Sequence, residues 1–148
     1  MIYLREGNIF ESGAQALVNP VNTDGVMGKG LALEFKNRFP VNFKAYHKAC
    51  KDKSLDIGSV LVCQEKDVYV VNFPTKRHWH EKSRYYYIQM GLHSLARAIE
   101  KHRIGSIAIP ALGCGLGGLE WDPVRGLIEA RLKDLNCDIF LFGPKKDL

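Results

Sequence analysis

Two glycine-rich segments constrain this chain more than anything else in it. One runs Asn22-Thr23-Asp24-Gly25-Val26-Met27-Gly28-Lys29-Gly30. The other runs Pro110-Ala111-Leu112-Gly113-Cys114-Gly115-Leu116-Gly117-Gly118-Leu119. Each follows a short apolar run and precedes a helical pattern. Glycine admits positive φ and lets a ligand approach the main chain closely. A helix N-terminus adds unpaired N–H groups and a partial positive charge, which together favour phosphate. Two such loops in one small domain predict a diphosphate held between them, at the carboxyl ends of the strands.

Two familiar nucleotide folds are excluded. The second loop does contain Gly-x-Gly-x-x-Gly, at Gly113, Gly115 and Gly118, with Asp138 in the position of the acidic partner. Only ten residues follow Asp138, too few to build the rest of a dinucleotide fold. The first loop has Gly28-Lys29 but no Ser or Thr after the lysine, so a P-loop NTPase is unsupported.

The flanking segments set the fold class. Runs at 16–19, 59–63, 68–73, 104–109 and 137–142 are short, β-branched or aromatic, and bounded by Gly, Pro, Asn or Asp. They read as strands, with a further one at 1–4. Ile88, Leu92, Leu95, Ala96 and Ile99 form one helical stripe. Val124, Leu127, Ile128, Leu132 and Leu135 form a second. Asp122 reads as the N-cap of that second helix and Pro123 as its first residue. Residues 29–39 and 41–51 predict two more helices, broken at Pro40. The alternation predicts an α/β three-layer sandwich, a mixed central sheet with helices on both faces. With 148 residues, it reads as a single domain over 1–148, consistent with the N-terminal part of a longer protein. The tail at 143–148 is polar and expected to fray.

Lys plus Arg number 21 against 16 Asp plus Glu, a surplus of +5. Such a surplus suits an anionic partner, or simply solubility. No leader pattern opens the chain, and no apolar run approaches membrane-spanning length. The four cysteines show no Cys-x-x-Cys spacing and the histidines no His-Glu-x-x-His spacing. The expectation is a cytoplasmic chain with free thiols, no membrane partner and no metal.

Along its whole length the chain resembles the macrodomains, which bind ADP-ribose. The likeness rests on Gly7-Asn8-Ile9-Phe10, on Ala16-Leu17-Val18-Asn19-Pro20-Val21-Asn22, and on both glycine loops. Within them it is similar to the branch holding terminal ADP-ribose glycohydrolase. It looks closest to the DarG type, antitoxins that remove ADP-ribose from thymine bases of DNA. That finer likeness rests on residues 25–32, 72–79 and 112–121.

The resemblance implies residue roles. Asn8 takes the place of an Asp that accepts from the adenine amino group. Its carbonyl oxygen can still accept, without charge assistance. Ile9 would line the same end. Asn22 would contact the distal ribose, with Asn19 bracing the loop. Gly25, Val26, Met27, Gly28, Lys29 and Gly30 would close over that ribose, beside Thr75. Ala111, Leu112, Gly113, Cys114, Gly115, Leu116, Gly117 and Gly118 would cradle the diphosphate. No cofactor is implied; ADP-ribose is ligand and product.

Lys76 matches the catalytic lysine of this branch. A neutral amine there could attack the anomeric carbon, or a cation could stabilise developing charge. The first route needs a depressed pKa, which burial beside Arg77 or Lys29 would supply. The glycohydrolase acting on glutamate esters pairs its lysine with an Asp, and here that place falls on Gly117. The dyad is therefore not carried over, which favours the DNA-directed reading. His78 and His80 are candidates for the general acid.

Residues 76–87 interleave cations with aromatics. Arg77, His78, Trp79, His80, Lys82 and Arg84 are the expected DNA contacts, cations on phosphates and rings on unpaired bases. Trp79 and the neighbouring tyrosines can equally pack beneath a helix. The implied activity is hydrolysis of the bond between ADP-ribose and thymine in single-stranded DNA. The implied partners are ADP-ribose, ADP-ribosylated single-stranded DNA and a DarT-like transferase toxin. The rival readings are a non-catalytic ADP-ribose reader, and a hydrolase of ADP-ribosylated protein or ADP-ribose 1″-phosphate.

Overall fold

The computed structural model describes residues 1–144. The expected fraying at 145–148 lies outside the described residues. Six strands form one sheet: β1 (Ile2–Arg5), β2 (Ala16–Val21), β3 (Leu61–Glu65), β4 (Val68–Pro74), β5 (Ser106–Ile109) and β6 (Asp138–Phe142). Their order is β1-β6-β5-β2-β4-β3. Every neighbouring pair is parallel except β3 and β4. The helices are α1 (Gly30–Arg38), α2 (Pro40–Lys51), α3 (Tyr85–Lys101) and α4 (Trp121–Leu132). The predicted three-layer, mixed-sheet architecture is the one observed.

Side-chain alternation builds the layers. Ala16 and Val18, Val71 and Phe73, Ile107 and Ile109, and Ile139 and Leu141 face one side. There they meet Ile88, Leu92, Leu95, Ala96 and Ile99 of α3 and Val124, Ile128 and Leu132 of α4. The intervening Leu17, Val70, Ala108 and Phe142 face the other side, against Phe35 and Phe39. A third cluster joins Val21 and Met27 to Tyr46, Ala49 and Cys50 of α2.

Two local expectations are corrected. Glu120, not Asp122, is the N-cap of α4, and Pro123 lies in the first turn rather than opening it. The N–H groups of a whole first turn lack intrahelical partners, so proline is tolerated at any of its positions. Leu135 lies past the end of α4, yet still packs against the core. Pro40 acts as read: it opens α2 immediately after Phe39, the C-cap of α1.

The sheet decides where the loops go. β2 and β4 run in register to their last residues, with Asn19 opposite Asn72 and Val21 opposite Pro74. Thr75 then donates its N–H to Val21 O at 2.9 Å. β5 lies on the other side of β2. The first glycine loop, the Lys76 segment and the second glycine loop therefore leave three adjacent parallel strands at one edge. Among the described residues, no helix is long and apolar enough to cross a membrane, and the four cysteines are free.

Candidate active site

Asn22 organises the first loop. Its Oδ1 accepts from the N–H of Asp24 (3.0 Å) and Val26 (3.4 Å) and from the Tyr46 hydroxyl (2.9 Å). Its Nδ2 donates to Val26 O at 2.9 Å. The side chain expected on the ribose is thus buried and engaged as the brace of the loop. That was the role expected of Asn19. Asn19 instead belongs to a buried amide network. Its Nδ2 and that of Asn42 both donate to Asn72 Oδ1 at 3.1 Å, while Asn72 Nδ2 donates to Asn42 Oδ1 at 2.8 Å. Asn8 caps a short 3-10 turn, its Oδ1 accepting from Phe10 N at 2.9 Å, and Ile9 behind it is buried. Val26 is exposed while Met27 points into the core. Gly28, Lys29 and Gly30 are exposed at the start of α1.

The second loop is held by backbone bonds. Cys114 N donates to Ala111 O, Gly118 N to Gly115 O and Leu119 N to Gly113 O. The exposed Gly115 and Leu116 amides are not among these donors. Gly113 sits at φ +74°, and a Cβ there would lie 2.7 Å from Leu119 Cδ1 and 2.9 Å from Ser83 Oγ. Glycine is required at that point on both counts. Leu112 is buried, and Ala111 and Cys114 are half-buried.

Ser83, which no motif singled out, links the two halves of the site. It is buried, its hydroxyl donates to Thr75 O at 2.5 Å, and its N–H donates to Gly117 O at 2.9 Å. A Cβ on Gly117 would lie 3.2 Å from Ser83 Cβ. The tight seat of Ser83 therefore accounts for a residue without a side chain at Gly117.

Lys76 emerges just past the end of β4, beside the first loop, half-buried. Burial pushes its pKa below the ordinary lysine value; Glu81 opposes this, and the charges of Lys82 and Lys29 reinforce it. The expected contribution of Arg77 is replaced by that of Lys82. Arg77 turns away, with Nε 3.4 Å from an Asp56 carboxylate oxygen and Nη1 3.3 Å from the Tyr87 hydroxyl. Lys82 leans over the second loop, with Cδ 3.1 Å from where a Gly118 Cβ would stand. The expected DNA cations thus divide: Lys82 belongs to the loop, Arg77 is paired, and Arg84 is exposed.

The segment after Lys76 is clasped to the first loop. Thr23 donates its N–H (2.9 Å) and hydroxyl (3.1 Å) to Arg77 O. Asp24 accepts from His78 Nδ1 and from Trp79 N, each at 3.0 Å. Trp79 remains 54% exposed, with Lys29 Nζ 6.0 Å from its ring centre. His80 is exposed and stacks on His78 at 5.8 Å. Tyr87 is buried, whereas Tyr85 and Tyr86 are exposed.

The clasp has a definite pH dependence. The hydrogen bond to Asp24, with its charge, raises the His78 pKa. Partial burial works to raise the Asp24 pKa, but the His78 and Trp79 hydrogen bonds outweigh it and lower the value. His78 contributes most below its unfolded pKa, and the contribution fades as pH rises through the raised folded value. Asp24 contributes above its unfolded pKa and fades as pH falls through the lowered one. An NMR titration is expected to place His78 above the ordinary histidine value of about 6.5. In Asp24→Asn it should fall back; an unchanged midpoint would show that no clasp exists.

Among the described residues, no group of three or more His, Cys, Asp and Glu is placed to hold a metal ion. What converges is two glycine loops, a half-buried lysine of depressed pKa and a cation over the second loop. That arrangement suits an anionic ligand, with Lys76 the amine nearest to neutrality beside it.

Residues 18–128 match the Macro domain family, and the chain belongs to it. It is 43% identical to the DNA ADP-ribosyl glycohydrolase of Thermus aquaticus over 97% of this chain and 41% of that protein. It is 41% identical to its namesake in Mycobacterium tuberculosis, over 97% and 42%. The solved macrodomain of Thermus aquaticus DarG superimposes with a TM-score of 0.93, covering 97% of this chain and 99% of that one. Thermosipho africanus DarTG, solved in complex with ADP-ribose, superimposes at 0.92 with 38% identity, over 99% of this chain and 43% of that one. The chain thus spans about two fifths of the length of these curated relatives.

Proposed function

We propose that this chain is a DNA ADP-ribosyl glycohydrolase. In this reading it hydrolyses the N-glycosidic bond between ADP-ribose and thymine in single-stranded DNA, and it serves as the antitoxin of a DarT-like transferase. The observation that carries the reading is Lys76: half-buried, lowered in pKa and within the electrostatic reach of Lys29 in the first loop and of Lys82 against the second. The names of the relatives agree with it. The absence of a side chain at Gly117 counts against the lysine–aspartate chemistry used on protein esters.

In the covalent route, neutral Lys76 Nζ attacks the anomeric carbon of the distal ribose. A C–N bond forms to lysine as the bond to thymine breaks. The thymine nitrogen keeps the electron pair and takes up a proton. Water then cleaves the lysine adduct, releasing ADP-ribose and restoring the amine. The lowered pKa raises the fraction of neutral amine, and the rate should climb as pH rises through it. The Gly115 and Leu116 amides and the Lys82 charge would hold the diphosphate. Lys29 and exposed Trp79 would receive the DNA next to the modified base.

The test is incubation with thymine-ADP-ribosylated single-stranded oligonucleotide, following free ADP-ribose. Release of ADP-ribose with restored, unmodified DNA is expected. Tight ADP-ribose binding without turnover would select the non-catalytic reader instead.

A further inference from the structure

We infer that the outer face of α2 is a second DNA contact, an electrostatic track for the phosphodiester backbone of the strand carrying the modified base; this rests on the function proposed above. The helix and its flanking residues are strongly basic. Residues 36–53 hold six cations, Lys36, Arg38, Lys44, Lys48, Lys51 and Lys53, against the single acid Asp52. That surplus of five is the surplus of the whole chain, so the remaining residues balance. Residues 76–87 carry a further net +3, from Lys76, Arg77, Lys82 and Arg84 against Glu81, which acids elsewhere in the chain offset.

Two of the six are already occupied. Lys36 Nζ lies 4.6 Å from the Phe43 ring centre, and the Arg38 guanidinium lies 4.3 Å from that of Phe10. Lys44, Lys48 and Lys51 are different. They recur at four- and three-residue steps, so they share one face of the helix. All three are exposed, opposite the buried Asn42, Tyr46, Ala49 and Cys50. Among the described residues, none of them has an acidic partner within ion-pair distance. Their span is about 10 Å, the length of about three stacked nucleotides at a rise of about 3.4 Å each.

The helix is aimed at the site. Its N-terminus is held far from the loops by Glu65, which accepts from Asn42 N at 2.8 Å. Its C-terminal half meets the first glycine loop. The Tyr46 hydroxyl donates to Asn22 O at 2.8 Å, and His47 Nδ1 lies 3.2 Å from Gly25 O. The helix thus abuts the first loop through Tyr46 and His47, while Lys44, Lys48 and Lys51 stand on its solvent side. Lysines near a helix C-terminus also favour the dipole. That accounts for Lys48 and Lys51 in the last turn, but not for Lys44 in the middle of the helix. A row of like charges with no acidic partner is mildly self-repelling, and a polyanion relieves that repulsion.

The test is the triple variant Lys44→Gln, Lys48→Gln, Lys51→Gln, with unmodified single-stranded DNA as probe. For single strands, each lost phosphate contact lowers the slope of log affinity against log salt by about 0.7. The variant slope should be shallower by about 2. KM for a long ADP-ribosylated oligonucleotide should rise at low salt, while kcat, melting temperature and affinity for free ADP-ribose stay as in the parent. An unchanged slope overturns the proposal, as does an equal loss of free ADP-ribose affinity. An unchanged slope joined to weakened binding of the transferase would overturn it in favour of an acidic protein partner. Because the probe is unmodified DNA, the slope is read even if no ADP-ribose is ever released, and that second result would bear on the proposed function alone.

Discussion

Lys76→Ala is expected to lower ADP-ribose release by at least about a hundredfold, the scale on which removing a transition-state contact acts. The affinity for free ADP-ribose should change little, because the diphosphate is held by the glycine loops and the lysine acts at the scissile bond. The loss should therefore fall on kcat. Lys76→Arg separates the two possible roles. Arginine keeps the positive charge but is never neutral at working pH, so it cannot supply the amine nucleophile. An inactive Lys76→Arg with intact ADP-ribose binding supports the covalent route. Activity near that of the parent assigns an electrostatic role. Full activity in Lys76→Ala would remove the lysine from the mechanism.

The largest expected stability effect comes from Gly91→Ala, in the middle of α3. Helix propensity alone predicts a gain of about 1 kcal/mol. The structure predicts the opposite. A Cβ at this position would stand 2.3 Å from Cζ of the Phe73 ring and within 3 Å of two further ring atoms. Phe73 is fully buried in β4, so neither the ring nor the helix can yield cheaply. Overpacking of this kind costs about 1–3 kcal/mol, occasionally more. For a domain of this size that is a fall in Tm of roughly 3–10 °C. Phe73 is also three residues before Lys76, so the same variant should disturb the strand end that presents the lysine. A thermal melt decides the sign: a Tm at or above that of the parent would mean that α3 stands farther from the sheet.

The strands and the layers were legible because burial on both faces leaves short, continuous apolar runs bounded by turn residues, a pattern that survives without tertiary information. The start of α4 was not. Proline marks a first turn without marking its register, so Pro123 could not show that Trp121 comes first. The two asparagines of Asn19-Pro20-Val21-Asn22 could not be told apart either. Asn19 lies inside β2 and is tied to Asn72 and Met27, whereas Asn22 lies one residue beyond the strand and folds back on its own loop. Ser83 carried no signal, since its importance comes wholly from the meeting of Thr75 O with Gly117 O. The charge was visible as a total, but the alignment of Lys44, Lys48 and Lys51 on one exposed side of α2 needed the helix and its buried face. The candidate site itself was legible in outline, as two glycine loops and a lysine. Which cations face the loops became clear only when Arg77 was seen to turn toward Asp56 and Lys82 toward Gly118.

The central claim is tested most directly by initial rates on two substrates: thymine-ADP-ribosylated single-stranded DNA, and a protein carrying ADP-ribose on a glutamate ester. The account predicts rapid release of ADP-ribose from the DNA and much slower release from the ester, consistent with the missing acid at Gly117. Preference for the protein ester, or no release from DNA by a folded domain that binds ADP-ribose, would contradict it.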